Sequence, residues 1–320
     1  MNIRSLLIGT IIAAMGVAPS VASEYPAKPI EMIVAFAPGG GTDVAARSIA
    51  RFMQKHLGEG ASIAVINKPG AGGEIGWTTL SQGKPDGYTI GMINPPAFNA
   101  LAVEGKAKYT MDSFQPIGNV VLDPGILVVT KNSPYKTLTE LVDASKAAPG
   151  TIVVGTSGAA GSSEHIGILS LNRSAGSAFK PAFFGSTAPV RQAILGGHIP
   201  AATMNLSEAL PLVRSGDVRL LGVMAQERSQ YLPDAPTFKE QGYDLVVMTS
   251  RGLAAPAGTP PAVVEKLQSA LKAAMEDPEY VRTAKEAEIP LAYLDAKAYR
   301  ALIDRITSEL TETWKVTPWR

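Results

Sequence analysis

An apolar run that ends in a glycine-rich turn and opens into an amphipathic helix constrains the fold of this chain more than any other segment. Residues 30–36 are apolar and predict a buried strand, and Pro38 is followed by three glycines. Apolar side chains then recur on one helical face, with Thr42 or Asp43 as the predicted N-terminal cap. The turn leaves backbone N–H groups open at the positive end of a helix, which attracts anions. The segment predicts either an anion site or a close-packed α/β turn.

The same alternation of strand and helix patterns continues along the chain and favours a doubly wound α/β architecture. Five apolar runs have the length and composition of strands buried on both faces, as in parallel sheets, namely 30–36, 62–66, 88–93, 151–155 and 219–224. Apolar residues at helical spacing predict further helices, namely 45–57, 137–147, 263–274 and 299–310.

Proline- and glycine-bearing crossings at residues 121–126 and 223–235 divide the chain into three portions. We infer two α/β lobes, each with a mainly parallel sheet flanked by helices. Residues 24–122 are predicted to form the first lobe and residues 123–224 the second lobe. Residues 225–320 are predicted to return to the first lobe with the C-terminal helices.

The first 23 residues have the pattern of a secretory signal peptide. A basic start ends at Arg4, residues 6–17 are apolar, and the small residues 21–23 predict cleavage before Glu24. Removing Arg4 reduces the 29 basic residues to 28, equal to the 28 acidic residues. A neutral mature chain lacks the basic excess of nucleic-acid and membrane-surface binders. We therefore expect an exported periplasmic protein that binds no nucleic acid.

The middle of the chain repeats the opening layout. The predicted strand 151–155 runs into residues 156–163, which are small or carry hydroxyl groups, and Glu164 falls in the first turn of the next helix. One such turn in each lobe predicts a cleft in which both helix N-termini hold an anion.

Common catalytic and metal motifs are incomplete in this chain. Ala159 replaces a glycine of the G-x-S-x-G elbow, and Ile75 interrupts a dinucleotide fingerprint. Neither glycine-rich turn carries the lysine of a phosphate loop. The three histidines, His56, His165 and His198, are far apart, and there is no cysteine. The sequence predicts no catalytic residue, no cofactor and no transition-metal site, and it leaves open only a metal site built from oxygen ligands.

An ordered set of short motifs covers essentially the whole predicted mature chain. The motifs are YPxKPI at 25–30, PGGGTD at 38–43, NKPGAGG at 67–73, PDGYT at 85–89, GTSG at 155–158, LGG at 195–197, LPDAPT at 232–237 and APAGTP at 255–260. The set closely resembles the extracytoplasmic solute-binding receptors of tripartite tricarboxylate transporters, the TctC or Bug family. The resemblance implies a monomeric, two-lobed periplasmic binding protein of the type II class. Such a receptor closes around a small carboxylate and delivers it to a permease of one large and one small membrane subunit.

The resemblance also implies a set of ligand-binding residues. It places Gly40, Gly41, Thr42 and Asp43 in the first-lobe loop, which binds a carboxylate through backbone groups and ordered waters. It places Ser157, Gly158, Ala159, Ser162 and Ser163 in the second-lobe loop. The predicted site is completed by Phe36, Asn94, Asn205 and Arg251.

Two departures from the family pattern bear on the ligand. Met204 stands where many members carry an aspartate, which makes a ligand amine less expected. Arg251 stands where aromatic residues are common, so it is predicted to pair with a second carboxylate or to form a hinge salt bridge. An aromatic acid is a further candidate, with Phe36 and Phe98 as cleft residues. Asp43 is predicted to cap its helix, to hold water, or to do both.

Two alternative functions stay open at the level of sequence. A periplasmic enzyme acting on a carboxylate substrate would use Ser157 or Asp43, although no base partner is visible. A receptor for sensory signalling would share every feature of an uptake receptor. Residues 70–73 are predicted to shape a turn or to border the ligand.

Overall fold

The computed structural model describes residues 25–319, so the predicted signal peptide and its cleavage site lie outside the described residues. Its strands are β1 (Ile30–Val34), β2 (Ile63–Asn67), β3 (Thr89–Ile93), β4 (Phe114–Thr130), β5 (Val153–Thr156), β6 (Lys180–Phe183), β7 (Ala201–Asn205), β8 (Val218–Val223), β9 (Met248–Pro256) and β10 (Leu291–Asp295). Its α-helices are α1 (Gly41–Leu57), α2 (Glu74–Ser81), α3 (Ala97–Val103), α4 (Leu138–Ala147), α5 (Ser163–Ala175), α6 (Thr187–Leu195), α7 (Leu206–Arg214), α8 (Pro261–Glu276), α9 (Pro278–Glu286) and α10 (Ala296–Val316).

The first lobe is built on a sheet in the order β2-β1-β3-β9-β4-β10. Strands β1, β2 and β3 are parallel, whereas β9 runs antiparallel to both β3 and β4. Met32 of β1, Ile49 and Met53 of α1 and Leu267 of α8 are almost fully buried in one apolar cluster. Helices α1 and α8 therefore cover this sheet through the apolar faces that their sequences predict.

The second lobe is built on a sheet in the order β6-β5-β7-β4-β8. Strand β5 is parallel to β6 and β7, and the second half of β4 is antiparallel to β7 and β8. Two apolar clusters cover its faces, one containing Leu141 of α4 and Ile168 of α5 and the other Val190 of α6 and Leu210 of α7. Each lobe thus has its own core.

Strand β4 belongs to both lobes. It pairs with β9 as far as Pro124 and with β7 from Gly125 onwards. The chain returns along β9, whose first residue, Met248, lies opposite Pro124. Residues 225–247 still pack on the second lobe through side chains such as Phe238 and Leu245, so the return begins at Met248 and not at residue 225. The two crossings lie side by side, as a hinge requires.

The five predicted strands form within two residues of their predicted bounds, but β4, β6, β7, β9 and β10 are not predicted. Strand β4 contains Pro116 and Pro124 together with Gly118 and Gly125, residues that usually mark loops. Pairing with neighbouring strands on both sides outweighs that local preference.

The parallel strands place their carboxyl ends at the gap between the lobes. Strands β1 and β3 end in the turn before α1 and in Asn94, while β5 and β7 end in the turn before α5 and in Asn205. Ligands of open α/β sheets bind beyond the carboxyl ends of the strands. Within residues 25–319, no helix combines the length and the apolar character that a membrane crossing requires.

Candidate functional site

A cavity with a volume of about 790 Å³ lies between the two lobes. The turns before α1 and α5 both line it, together with the ends of β3 and β7. Every predicted site residue except Asp43 lines this cavity, namely Phe36, Gly40, Gly41, Thr42, Asn94, Ser157, Gly158, Ala159, Ser162, Ser163, Asn205 and Arg251. The fold therefore brings the predicted residues of both lobes to one place.

Helix α1 starts two or three residues earlier than the predicted caps imply. Gly40 is the N-cap and has no side chain to accept a hydrogen bond, and the helix begins at Gly41. The prediction that Thr42 or Asp43 caps the helix is therefore wrong. An N-cap without an oxygen-bearing side chain leaves the first N–H groups of the helix open.

Asp43 is turned away from the cavity. Its carboxylate accepts hydrogen bonds from the Gly39 N–H at 2.9 Å, from Arg47 and from Nδ2 of Asn67 at 2.9 Å. Burial by itself would raise the pKa of Asp43, but the hydrogen bonds from Arg47, Gly39 and Asn67 lower the pKa below its ordinary value. Asp43 thus fixes the shape of the turn, and its negative charge is compensated outside the cavity.

The first-lobe turn presents unused hydrogen-bonding groups to the cavity. Among residues 25–319, no acceptor takes the backbone N–H of Gly41 or Thr42. Asn94 donates from Nδ2 to Oγ1 of Thr42 at 2.9 Å, while its Oδ1 is buried and has no partner in the described chain. A buried amide oxygen without a partner is costly unless a ligand or water bonds to it.

Gly41 also brings the two lobes together. A Cβ at this position would lie 2.6 Å from Nη2 of Arg251 and 2.6 Å from Oε1 of Glu208. A Cβ on Gly40 would meet only the carbonyl oxygen of Ala37, at 3.6 Å. A methyl group at position 41 would therefore displace the ends of Arg251 and Glu208, whereas position 40 tolerates a methyl group.

The turn at residues 70–73 both shapes the backbone and borders the cavity. Gly70, Gly72 and Gly73 have positive φ angles of 135°, 68° and 107°. These three glycines line the cavity, and a Cβ on Gly72 would lie 3.4 Å from Cβ of Ala159 in the other lobe. Residues 70–73 thus shape a turn and, at the same time, border the cavity in which a ligand is expected.

The second-lobe turn holds a carboxylate of the chain itself. Glu164 accepts hydrogen bonds from Oγ of Ser157 at 2.9 Å, from Oγ of Ser163 at 3.1 Å and from Nδ2 of Asn205 at 3.2 Å. Ser162 caps α5 by accepting from the His165 N–H. Glu164 is buried and lines the cavity, yet it was not among the predicted site residues. An acidic residue directly after two serines at a helix start was the available signal.

Ser157 has a carboxylate as its hydrogen-bond partner and not the histidine of a serine–histidine pair. Ser157 donates to Glu164, and in the described part of the chain no histidine contacts it. His165 accepts a hydrogen bond from the Gly161 N–H, and burial lowers the pKa of His165 to about 4. Residues 25–319 contain no group of three or more acidic, histidine or cysteine side chains suited to a metal ion.

Arg251 forms a buried ion cluster at the hinge. Its Nη1 lies 2.7 Å from Oδ2 of Asp123 on β4, and its Nη2 lies 3.2 Å from Oε1 of Glu208 on α7. Burial opposes the charge of Arg251, but Asp123 and Glu208 outweigh it and raise the pKa of the guanidinium. Burial raises the pKa of Glu208, Arg251 opposes that shift, and Asp123 and Glu164 add to it. The hinge salt bridge is the arrangement that the geometry shows.

Two expectations about the ligand rest on side chains that do not reach the cavity. Met204 is fully buried in an apolar cluster, because neighbouring residues of a strand point to opposite faces and Asn205 takes the cavity side. The residue at position 204 therefore does not argue against a ligand amine. Phe98 stacks on Tyr109 in the core, whereas Phe36 lines the cavity against Trp77.

Arg191 is a further lining residue that the sequence analysis did not single out. It lies on α6 and borders both the main cavity and a smaller cavity of about 210 Å³. A single arginine in an amphipathic helix resembles any exposed residue, so the sequence carried no signal for it.

Known proteins match this chain over nearly its whole described length. The profile of the tripartite tricarboxylate transporter family receptors, TctC, matches residues 45–312. BugT from Bordetella pertussis is similar, at 33% identity over 283 residues that cover 86% of this chain and 86% of BugT.

Solved structures agree with that match. A TctC solute-binding protein from Polaromonas, solved without ligand, is 32% identical, with a TM-score of 0.73, and the match covers 91% of this chain and 99% of that protein. MatC from Rhodopseudomonas palustris, solved with bound malate, is 28% identical, with a TM-score of 0.80 and coverage of 90% and 99%. This chain therefore belongs to the tripartite tricarboxylate transporter receptor family, TctC, of periplasmic solute-binding proteins.

Proposed function

We propose that this receptor captures a small carboxylate in the cavity between its lobes and delivers it to a tripartite permease. The ligand carboxylate binds at the first-lobe turn, where the N–H groups of Gly41 and Thr42 meet the positive end of α1. The receptor acts in the periplasm, consistent with the export predicted for residues 1–23, and it acts as a monomer. Its permease partner consists of one large and one small membrane subunit.

The observation that carries this proposal concerns the start of α1. There, backbone N–H groups face the cavity without an acceptor in residues 25–319, while the one acidic side chain points away from it. Gly41 and Thr42 keep their N–H groups free, and Asp43 directs its charge toward Arg47 and Asn67. An anion at this place gains charge-assisted hydrogen bonds without meeting a negative side chain of the same turn.

The side chain of Asn94 favours a ligand that carries a hydrogen-bond donor beside its carboxylate. Its Oδ1 faces the same cavity, is buried and accepts no hydrogen bond from residues 25–319. A hydroxyl or amine beside the carboxylate would satisfy it. Malate, the ligand held by the similar MatC, carries a hydroxyl next to one of its carboxylates.

Ligand capture proceeds by closure of the lobes about β4 and β9. Groups from both lobes line one cavity, so a ligand makes its full set of contacts only when the lobes approach. We expect the ligand to leave unchanged, because within residues 25–319 no histidine contacts Ser157 to form a serine–histidine pair.

A thermal-shift screen of the purified protein tests the ligand class. The panel contains succinate, malate, citrate, benzoate and aspartate, with butyrate and butanol as partners that lose one or both carboxylates. We expect at least one carboxylate to raise Tm and butanol to have no effect. Recovery of unchanged ligand after long incubation would separate binding from turnover. A panel in which only the uncharged compound stabilises the protein would refute the proposal.

Transport is tested separately from binding. Deleting the gene for this receptor is expected to abolish uptake of the stabilising carboxylate, and deleting either permease subunit is expected to do the same. Uptake that continues without the receptor, while binding in solution is intact, would favour a sensory role.

A further inference from the structure

Four charged side chains line the main cavity, and three of them are bonded to groups of the chain itself. Glu164 accepts from two serines and Asn205, and Glu208 accepts from Oγ1 of Thr187 at 2.7 Å and pairs with Arg251. Arg251 also pairs with Asp123. Arg191 is the exception: within residues 25–319 its guanidinium has neither a hydrogen bond nor an ion pair.

Arg191 lies at the gap between the two lobes. It belongs to α6 of the second lobe, yet the smaller cavity that it borders is lined by Gly39 and Gly41 of the first-lobe turn. Its side chain is partly buried, and Nε is shielded from solvent without an acceptor in the described residues. Glu208 and Arg251, which are paired with each other, also line this smaller cavity, whereas Glu164 lines only the main cavity.

An arginine in this setting calls for an anion. The guanidinium cannot lose its proton, so it cannot escape the cost of burial by becoming neutral. A shielded donor without a partner is unfavourable, and a carboxylate would satisfy the planar fork through two parallel hydrogen bonds. Among the described residues that line the cavity no such carboxylate is free, because those of Glu164 and Glu208 are already bonded to other groups.

Two other candidates for anion binding are the serine hydroxyls of the second-lobe turn and the guanidinium of Arg251 at the hinge. Both already have partners within the chain. The hydroxyls of Ser157 and Ser163 donate to Glu164, and Arg251 is neutralised by Asp123 and Glu208. We propose that Arg191 binds a carboxylate of the ligand and is the second lobe's main contribution to anion recognition. This inference rests on the proposed function and names the residue that gives the receptor its preference for dicarboxylates.

Titration calorimetry on single variants tests the assignment. Wild type, Arg191→Met, Arg191→Lys and the control Arg173→Met are compared with succinate, malate and butyrate; Arg173 is an exposed arginine on α5 of the same lobe. Arg191→Met is expected to weaken the dicarboxylates about tenfold or more, with a smaller loss for butyrate. Arg191→Lys should keep part of the affinity, and Arg173→Met should match wild type. Unchanged dicarboxylate affinity in Arg191→Met would overturn the assignment.

A second measurement needs no ligand and separates this inference from the proposed function. After unfolding and refolding to remove bound ligand, Arg191→Met should keep or raise Tm, because it removes a cation without a partner. Arg251→Met should lower Tm by about 4 °C or more, because it strands Asp123 and Glu208. A similar loss of Tm in both variants would show that Arg191 is structural and overturn the inference. If wild type binds no carboxylate, the proposed function fails. The Tm values of Arg191→Met and Arg251→Met then still show whether Arg191 has a partner within the protein.

Discussion

The two glycine- and serine-rich turns that face each other across the cavity follow the same sequence plan but differ in where they place an acid. In the first-lobe turn, Asp43 points away from the cavity and is bonded to Arg47 and Asn67. In the second-lobe turn, Glu164 lines the cavity and takes the hydroxyl groups of Ser157 and Ser163. One turn is therefore prepared for an incoming anion, and the other already holds one.

This difference shows that a helix N-terminus is not enough to define an anion site. Both helices offer a positive end, and the favourable field acts on whichever negative group lies nearest. Glu164 stands in the first turn of α5 and lies at that end already. In place of a symmetrical clamp formed by two helix ends, we propose an anion site in the first lobe. Opposite it lie Glu164 and Arg191, an arginine without an ion-pair partner in residues 25–319.

The largest expected effect comes from closing the space at Gly41. Gly41→Ala places a methyl group 2.6 Å from the ends of the Arg251 and Glu208 side chains, so these ends must shift within their ion cluster. Overpacking of this kind costs about 1–3 kcal/mol, so the affinity for the best carboxylate should fall about fivefold to a hundredfold. Titration calorimetry measures the loss.

Gly40→Ala is the matched control, because its methyl group would meet only one oxygen at 3.6 Å. It keeps the backbone N–H groups of the turn and should bind within about twofold of wild type. Equal losses in both variants would mean that the turn itself, and not its contact with the hinge cluster, limits binding.

An intermediate effect is expected at Glu164, with a sign that depends on the ligand. Glu164→Gln keeps an acceptor for the serine hydroxyls but removes the charge, so succinate should bind about fivefold more tightly. Aspartate, which adds an amine to the succinate skeleton, should gain less or bind more weakly because its cation loses a carboxylate partner. Ser163→Ala serves as the control, since it removes one hydroxyl and leaves the charge. An identical change for the two ligands would contradict the assigned role of Glu164.

The smallest effect on binding is expected at Asp43, where stability changes instead. Asp43→Asn weakens the bonds to Arg47 and the Gly39 N–H, and at pH 7 it should lower the free energy of unfolding by about 1 kcal/mol. Because the pKa of Asp43 lies below its ordinary value of 3.8, this contribution is complete above that value and is lost as pH falls below it.

Urea unfolding at pH 7, 5 and 3 measures this dependence. The difference between wild type and Asp43→Asn should be constant at the two higher values and shrink at the lowest. Asp304→Asn, which removes an exposed carboxylate paired with Arg300, is the control and should differ less from wild type. A carboxylate affinity that falls tenfold in Asp43→Asn would instead place Asp43 in contact with the ligand.

Local patterns in the sequence predicted strand–turn–helix units, and the family resemblance supplied most of the predicted residues that line the cavity. The helix predicted at 137–147 forms as α4, with Thr137 as its N-cap, because helix starts depend on residues a few positions apart. Strands β4 and β9 escaped prediction because their proline and glycine residues are tolerated only through pairing with distant strands.

The family, the α/β architecture and the two turns at which ligands are expected can all be read from the sequence. Which charges face the cavity depends on contacts between distant parts of the folded chain. Arg251 meets Asp123 across 128 positions of sequence and Glu208 across 43, and no local pattern predicts such pairs. The direction of an acidic side chain depends on which donors the folded chain brings within reach. For that reason Asp43 fixes a turn, Glu164 occupies the opposite one, and Arg191 is left with a charge that the described chain does not pair.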